Sequence, residues 1–106
     1  MELADQRCEA CEGGVEPLDI EQATALGCEI PEWTIKPTAI ARTVTFADFR
    51  AAMAFVNRVA DLAEEQGHHP DLHISYRTVR IELSTHTIGG LSKNDFILAA
   101  KIDRLI

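Results

Sequence analysis

Apolar residues along this chain change their spacing from segment to segment, and each change marks a predicted element. Phe49, Ala52, Met53, Val56, Val59, Ala60 and Ala63 recur at three- and four-residue steps, the stripe of an amphipathic helix running from an Asp48 cap to about Gln66. Gly67 offers that helix a left-handed stop, and Pro70 prevents its resumption. The period then falls to two. Leu72, Ile74 and Tyr76 alternate with polar residues, and Val79, Ile81 and Leu83 alternate with Arg80, Glu82 and Ser84, as in two half-buried strands with Tyr76 among the packed positions.

Upstream, Glu32–Phe46 (EWTIKPTAIARTVTF) is rich in β-branched and aromatic residues around Lys36-Pro37-Thr38, which predicts a hairpin. Before it, Asp19 and Gln22 stand at capping-box spacing and Gly27 can end a short helix over Asp19–Leu26, with Pro31 closing the unit. After Gly89 and Gly90, Ser92 and Asp95 form a second capping box and Leu91 can staple onto Phe96, so a last helix is expected over Leu91–Ile106. The order α-β-β-α-β-β-α predicts an α+β fold, a four-stranded antiparallel sheet with helices packed on one face. Residues 1–16 show no period and are read as a flexible arm, leaving 17–106 as one domain.

A chain of 106 residues has room for one domain and hides a modest share of its surface, so a homo-oligomer is expected. The formal charge of −7 argues against nucleic acid or anionic lipid as a partner, and Arg77 and Arg80 are scattered rather than gathered into a basic patch. No apolar run approaches the ~20 residues of a membrane span, and no basic-then-apolar signal pattern is seen, so a cytoplasmic protein is expected. Cys8, Cys11 and Cys28 make an odd count, unlike a secreted disulfide framework. Cys8 and Cys11 form a C-x-x-C, readable as half of a zinc site, as a redox pair or as an incidental reduced pair.

Chemistry concentrates in the histidines. His68 and His69 occupy a helix-to-strand connection, where Pro70 restricts His69 to extended backbone. His86 is expected at the end of the last strand, sharing the polar parity of Arg80, Glu82 and Ser84. Imidazole both donates and accepts protons near neutrality, so three converging rings suit an acid–base elimination. Two other readings stay open from the residues alone: solvated surface histidines, and a three-imidazole zinc site with an open position.

The run Glu64-x-x-x-His68-His69-Pro70, five residues, Tyr76, nine residues, His86, eight residues, Asp95 resembles the signature of the pterin-4a-carbinolamine dehydratases, also known as dimerisation cofactors of a homeobox transcription factor. Trp33, the LSTH at Leu83–His86 and the GLS at Gly90–Ser92 resemble the same family, so the likeness covers about Trp33 to Asp103. It implies dimers joined edge to edge through their sheets, often paired into tetramers. It further implies dehydration of 4a-hydroxytetrahydropterin to quinonoid dihydropterin, which recycles the cofactor of aromatic amino acid hydroxylases. The pterin is then the substrate, no metal or other cofactor is needed, and a hydroxylase is a conceivable partner.

Carried over by position, His68 and His86 resemble general acids serving hydroxyls on opposite faces of the pterin, and His69 resembles a substrate-holding residue. His68–Pro70 and Thr85–Ile88, that is Thr85, His86, Thr87 and Ile88, match pterin-contacting segments. Glu64 reads either as orienting an imidazole or as a solvated carboxylate in the last helical turn. For Asp95 the capping role is favoured over the site, and Trp33 reads equally as packing or as lining the pocket mouth. His73 has no counterpart in the signature and is expected to be exposed. Gly67 stands where an acidic residue is common, and the first hairpin turn looks short for the family. Against the enzyme stands one alternative, a non-catalytic dimerisation or assembly module for a protein partner.

Overall fold

A computed structural model describes residues 2–9 and 16–106. Its elements follow the predicted order: α1 (Ile20–Gly27), β1 (Thr34–Ile35), β2 (Ile40–Thr45), α2 (Phe49–Gln66), β3 (Asp71–Ser75), β4 (Thr78–Leu83) and α3 (Lys93–Asp103), with 3-10 turns at Leu3–Asp5 and His86–Ile88. The four strands form one antiparallel sheet in the order β1-β2-β4-β3. The central pair β2·β4 is distant in sequence, because the chain leaves β2 through α2 and returns as the β3–β4 hairpin.

Period-two alternation decides which sheet face is covered. Val79, Ile81 and Leu83 of β4 are fully buried beneath the helices, together with Ile40, whose register partner is Leu83. Thr43, Thr45, His73, Arg80 and Glu82 lie on the opposite, polar face, where Arg80 and Glu82 pair at 2.8 Å. α2 presents Ala52, Phe55, Val59 and Ala63 to the core, and Phe55 meets Phe46 with ring centroids 4.9 Å apart.

α3 is different. Every residue from Asn94 to Ala100 is buried, which leaves no polar stripe to read. It is enclosed because α1, α2 and the N-terminal segment all pack on it. That corrects the reading of residues 1–16 as a flexible arm for the part that is described: Leu3 is 1% exposed within the core, its N–H donates to Glu29 Oε1 at 2.9 Å, and Lys101 Nζ donates to the Ala4 carbonyl at 2.9 Å. A single leucine inside charged residues gives no periodic signal, so sequence pattern misses the anchor. Cys11 and the Gly-Gly of the arm lie outside the described residues.

Other boundaries shift for local reasons. β1 shrinks to two residues because the Trp33 N–H closes a turn onto the Ile30 carbonyl at 3.1 Å. Tyr76 does not pack: it sits in the two-residue β3–β4 connection at φ 54°, 67% exposed. α3 starts at Lys93, after its Ser92 cap, and ends at Asp103 in a turn rather than continuing to Ile106. Both predicted capping boxes form.

Two stability changes follow. Leu3→Ala should cost about 2–4 kcal/mol in urea unfolding, the range for a truncated core leucine, whereas a detached arm would give no change. Gly67→Ala should cost about 1 kcal/mol, because Gly67 ends α2 at φ 66° with open space around its missing Cβ, so the penalty is purely one of backbone conformation.

Candidate active site

Two connections, one after α2 and one after β4, face each other across a cavity of about 420 Å³. In the first, the Gly67 N–H still donates to the Ala63 carbonyl at 2.9 Å while its left-handed backbone turns the chain off the helix axis. Pro70 then holds His69 extended, and neighbouring extended side chains diverge. His68 points inward with its side chain 12% exposed, and His69 points outward at 60%.

The second connection corrects the expected place of His86. β4 stops at Leu83, and Thr85 pairs with Gly90 through N–H donation at 2.8 Å, so the chain curls into a 3-10 turn between them. Gly89, at φ 67°, closes the turn by donating to the His86 carbonyl at 3.1 Å. His86 is therefore the first residue of a turn rather than the tip of a strand, and its exposed ring makes no hydrogen bond among the described residues.

Asp95 ties the two connections together. Its carboxylate is fully buried and accepts three hydrogen bonds: from His68 Nε2 at 2.6 Å on Oδ1, and from the Thr85 hydroxyl at 2.9 Å and the Ser92 N–H at 3.0 Å on Oδ2. The Ser92 hydroxyl stands 2.7 Å from Thr85 Oγ1. Because Thr85 spends its one hydroxyl proton on Asp95, Ser92 is the donor in that contact. The capping role favoured for Asp95 is thus present, and the same carboxylate grips a pocket imidazole. With Nε2–H committed to Asp95, a neutral His68 carries its lone pair on Nδ1. Glu64 takes the outward ring instead, its Oε2 lying 2.6 Å from His69 Nε2.

His68, His69, Thr85, His86 and Thr87 all line the cavity. Pro70 lies in an adjoining hollow of about 250 Å³ beside Glu64, His69 and Leu72, and Ile88 lines neither space. Of the two readings of Trp33 the structure shows packing: it is buried, and its Nε1 donates at 2.8 Å to Asp103 at the far end of α3, where Arg42 also pairs at 2.7 Å. Three cavity residues were not read as site residues, Gly67, Ser84 and Asn94, and a fourth, Glu9, comes from the supposed arm. Asn94 gave no signal because its partner is the backbone of residue 9.

Among the described residues, no group of three His, Cys, Asp or Glu side chains is arranged to hold a metal ion, and no helix is long and apolar enough to cross a membrane. In the zinc reading of the C-x-x-C, Cys11 falls outside the described residues, while Cys8 is half-buried with its Sγ 3.7 Å from the Asn94 carbonyl.

Comparison with known proteins fits this geometry. A crystal structure of a transcriptional coactivator/pterin dehydratase from Brucella melitensis superposes with a TM-score of 0.80 at 27% identity, over 85% of this chain and 98% of that one. A pterin dehydratase-like protein, described as a RuBisCO assembly factor in the alpha-carboxysome, gives a TM-score of 0.58 at 27% identity, over 69% of this chain and 84% of that one. In sequence, a protein of Nitrosomonas eutropha, provisionally named a pterin-4-alpha-carbinolamine dehydratase, is 46% identical over 99% of this chain and 94% of its own. One of Halorhodospira halophila under the same provisional name is 45% identical over 99% and 98%. The model of the family described as pterin 4 alpha carbinolamine dehydratase matches residues 16–105, and the chain belongs to that family.

Proposed function

We propose that this protein dehydrates 4a-hydroxytetrahydropterins to quinonoid dihydropterins by histidine acid–base catalysis, serving to regenerate the cofactor of an aromatic amino acid hydroxylase in the cytoplasm. The observation that carries the reading is the gathering of His68, His69 and His86 around one cavity, with a buried carboxylate fixing the first of them.

The reaction breaks the C4a–O bond and removes a proton from a ring nitrogen, releasing water. An imidazolium at the leaving oxygen supplies the proton that makes water the leaving group, and a neutral imidazole or water takes up the ring proton. His86, exposed and without a protein partner among the described residues, is suited to reach a hydroxyl on one face of the ring. His68 is suited to the other face, its orientation set by Asp95 in the way a buried acid orients a catalytic imidazole. His69, outward and paired with Glu64, fits the holding of substrate better than proton transfer. The pterin is substrate, and the scheme calls on no cofactor. Assembly into dimers or tetramers is part of the proposal, supported by β3, which lies at the sheet edge with Ile74 41% exposed.

A second reading, an assembly or coactivator module for a protein partner, draws support from the names of the two structural relatives. A scaffold, however, gives no reason for a fully buried aspartate to grip a histidine at the cavity wall.

Stopped-flow measurement of carbinolamine dehydration separates the two. His68→Ala and His86→Ala should each lower kcat about 100-fold, within the usual range for losing a general acid, while His69→Ala should act mainly on KM. Wild type and variants equally inactive with the fold intact would transfer the protein to the scaffold reading. For Asp95→Asn, one amide oxygen cannot replace two carboxylate oxygens, so unfolding stability should fall by about 1–3 kcal/mol. If Asp95 is a positioning residue, the same Asp95→Asn variant should also move the His68 ring-nitrogen NMR signals away from the Nε2–H tautomer. Unchanged signals would confine Asp95 to capping.

A further inference from the structure

One wall of the cavity is built by residues that the catalytic reading leaves unused. The Cys8 N–H donates to Gln66 Oε1 at 3.0 Å, at the end of α2. The Glu9 N–H donates to Asn94 Oδ1 at 2.9 Å, and Asn94 Nδ2 donates back to the Glu9 carbonyl, at the start of α3. Gln66 and Asn94 are both buried polar side chains, at 9% and 7% exposure, and both are used on this segment. Both backbone groups of Glu9 are thereby held, with Leu3 anchoring the segment from the other side. Glu9 is exposed, its side chain forms no hydrogen bond among the described residues, and the residue is one of those that line the cavity.

The rest of the lining is imidazole, hydroxyl, amide and glycine. Among the described cavity residues Glu9 is the one carboxylate. Asp95 does not serve in this respect, since it is fully buried behind Thr85 and His68 with its oxygens engaged. A pterin has two chemically distinct edges. The saturated ring carries the C4a hydroxyl and needs proton donors, whereas the pyrimidine edge presents the N3–H and the 2-amino group side by side. Those two coplanar donors match the two oxygens of one carboxylate, in the manner of a guanidinium.

We propose that Glu9 is the specificity-determining residue of this cavity, its carboxylate accepting both hydrogen bonds from the N3–H and 2-amino edge of a 2-amino-4-oxopteridine. The inference rests on the pterin reading above and deepens it. It makes the N-terminal segment a preformed part of the substrate site, with the ordering of its backbone completed before ligand arrives.

The test is calorimetric binding of 7,8-dihydropterin, and of 7,8-dihydrolumazine, in which a 2-oxo acceptor replaces the amino donor, to wild type, Glu9→Gln and Glu9→Ala. Wild type should favour dihydropterin by about 30-fold or more. Both variants should bind dihydropterin about tenfold more weakly, or ~1.4 kcal/mol, and lose most of the preference, with the kinetic loss falling on KM rather than kcat. Because the Glu9 backbone supplies the anchoring bonds, thermal melting should stay within a few degrees of wild type. Variants that retain both affinity and preference would overturn the role of Glu9 while leaving the pterin reading standing. A wild type that binds neither pteridine would overturn both.

Discussion

A single buried carboxylate connects the two halves of the cavity. Asp95 caps α3 through Ser92, holds the post-β4 connection through Thr85, and holds the post-α2 connection through His68. A buried charge is costly unless its lone pairs are satisfied, and here three donors from three separate parts of the chain satisfy it. Each donor is thereby fixed in place, because departure of any one leaves an under-solvated anion. The spacing between the two histidine-bearing connections therefore follows from the electrostatic needs of one residue in the first turn of a helix.

The remaining features of the site depend on where the chain is made to leave regular structure. Gly67 ends α2 one residue before the histidines, and Pro70 limits the second of them, so one ring faces inward and the other outward. Gly89 and Gly90 do the same after β4, cutting the strand short and placing His86 on a tight turn. The sheet and α2 support both exits, so the ring nitrogens sit on connections carried by a fixed frame.

The N-terminal segment and α3 show how packing overrides pattern. α3 is buried on all sides because residues 2–9 cover the face that would otherwise meet water. The interaction runs both ways: Lys101 and Asn94 give side-chain bonds to the segment's backbone, and Leu3 adds apolar area to the core. Trp33 illustrates the same effect at the opposite end of α3, where its indole N–H and Arg42 converge on Asp103.

Much of the fold was legible because it rests on local rules. Period-3.6 and period-2 apolar spacing located α2 and the β3–β4 pair, and the Asp19–Gln22 and Ser92–Asp95 boxes located the starts of α1 and α3. Position 86 could not be placed, because strand parity holds only while the strand lasts and the Thr85–Gly90 bridge ends it early. Nor could the partner of Glu64 be chosen between adjacent rings, since a backbone angle at residue 69 decides which one faces it. The sequence by itself determined which elements form and which residues stand at their ends, for these depend on neighbours a few positions away. The tertiary structure alone decided that Asp95 meets His68, that Trp33 packs against the far end of α3 and that Glu9 lines the cavity, because those contacts join residues 27 to 85 positions apart and depend on how whole elements stack.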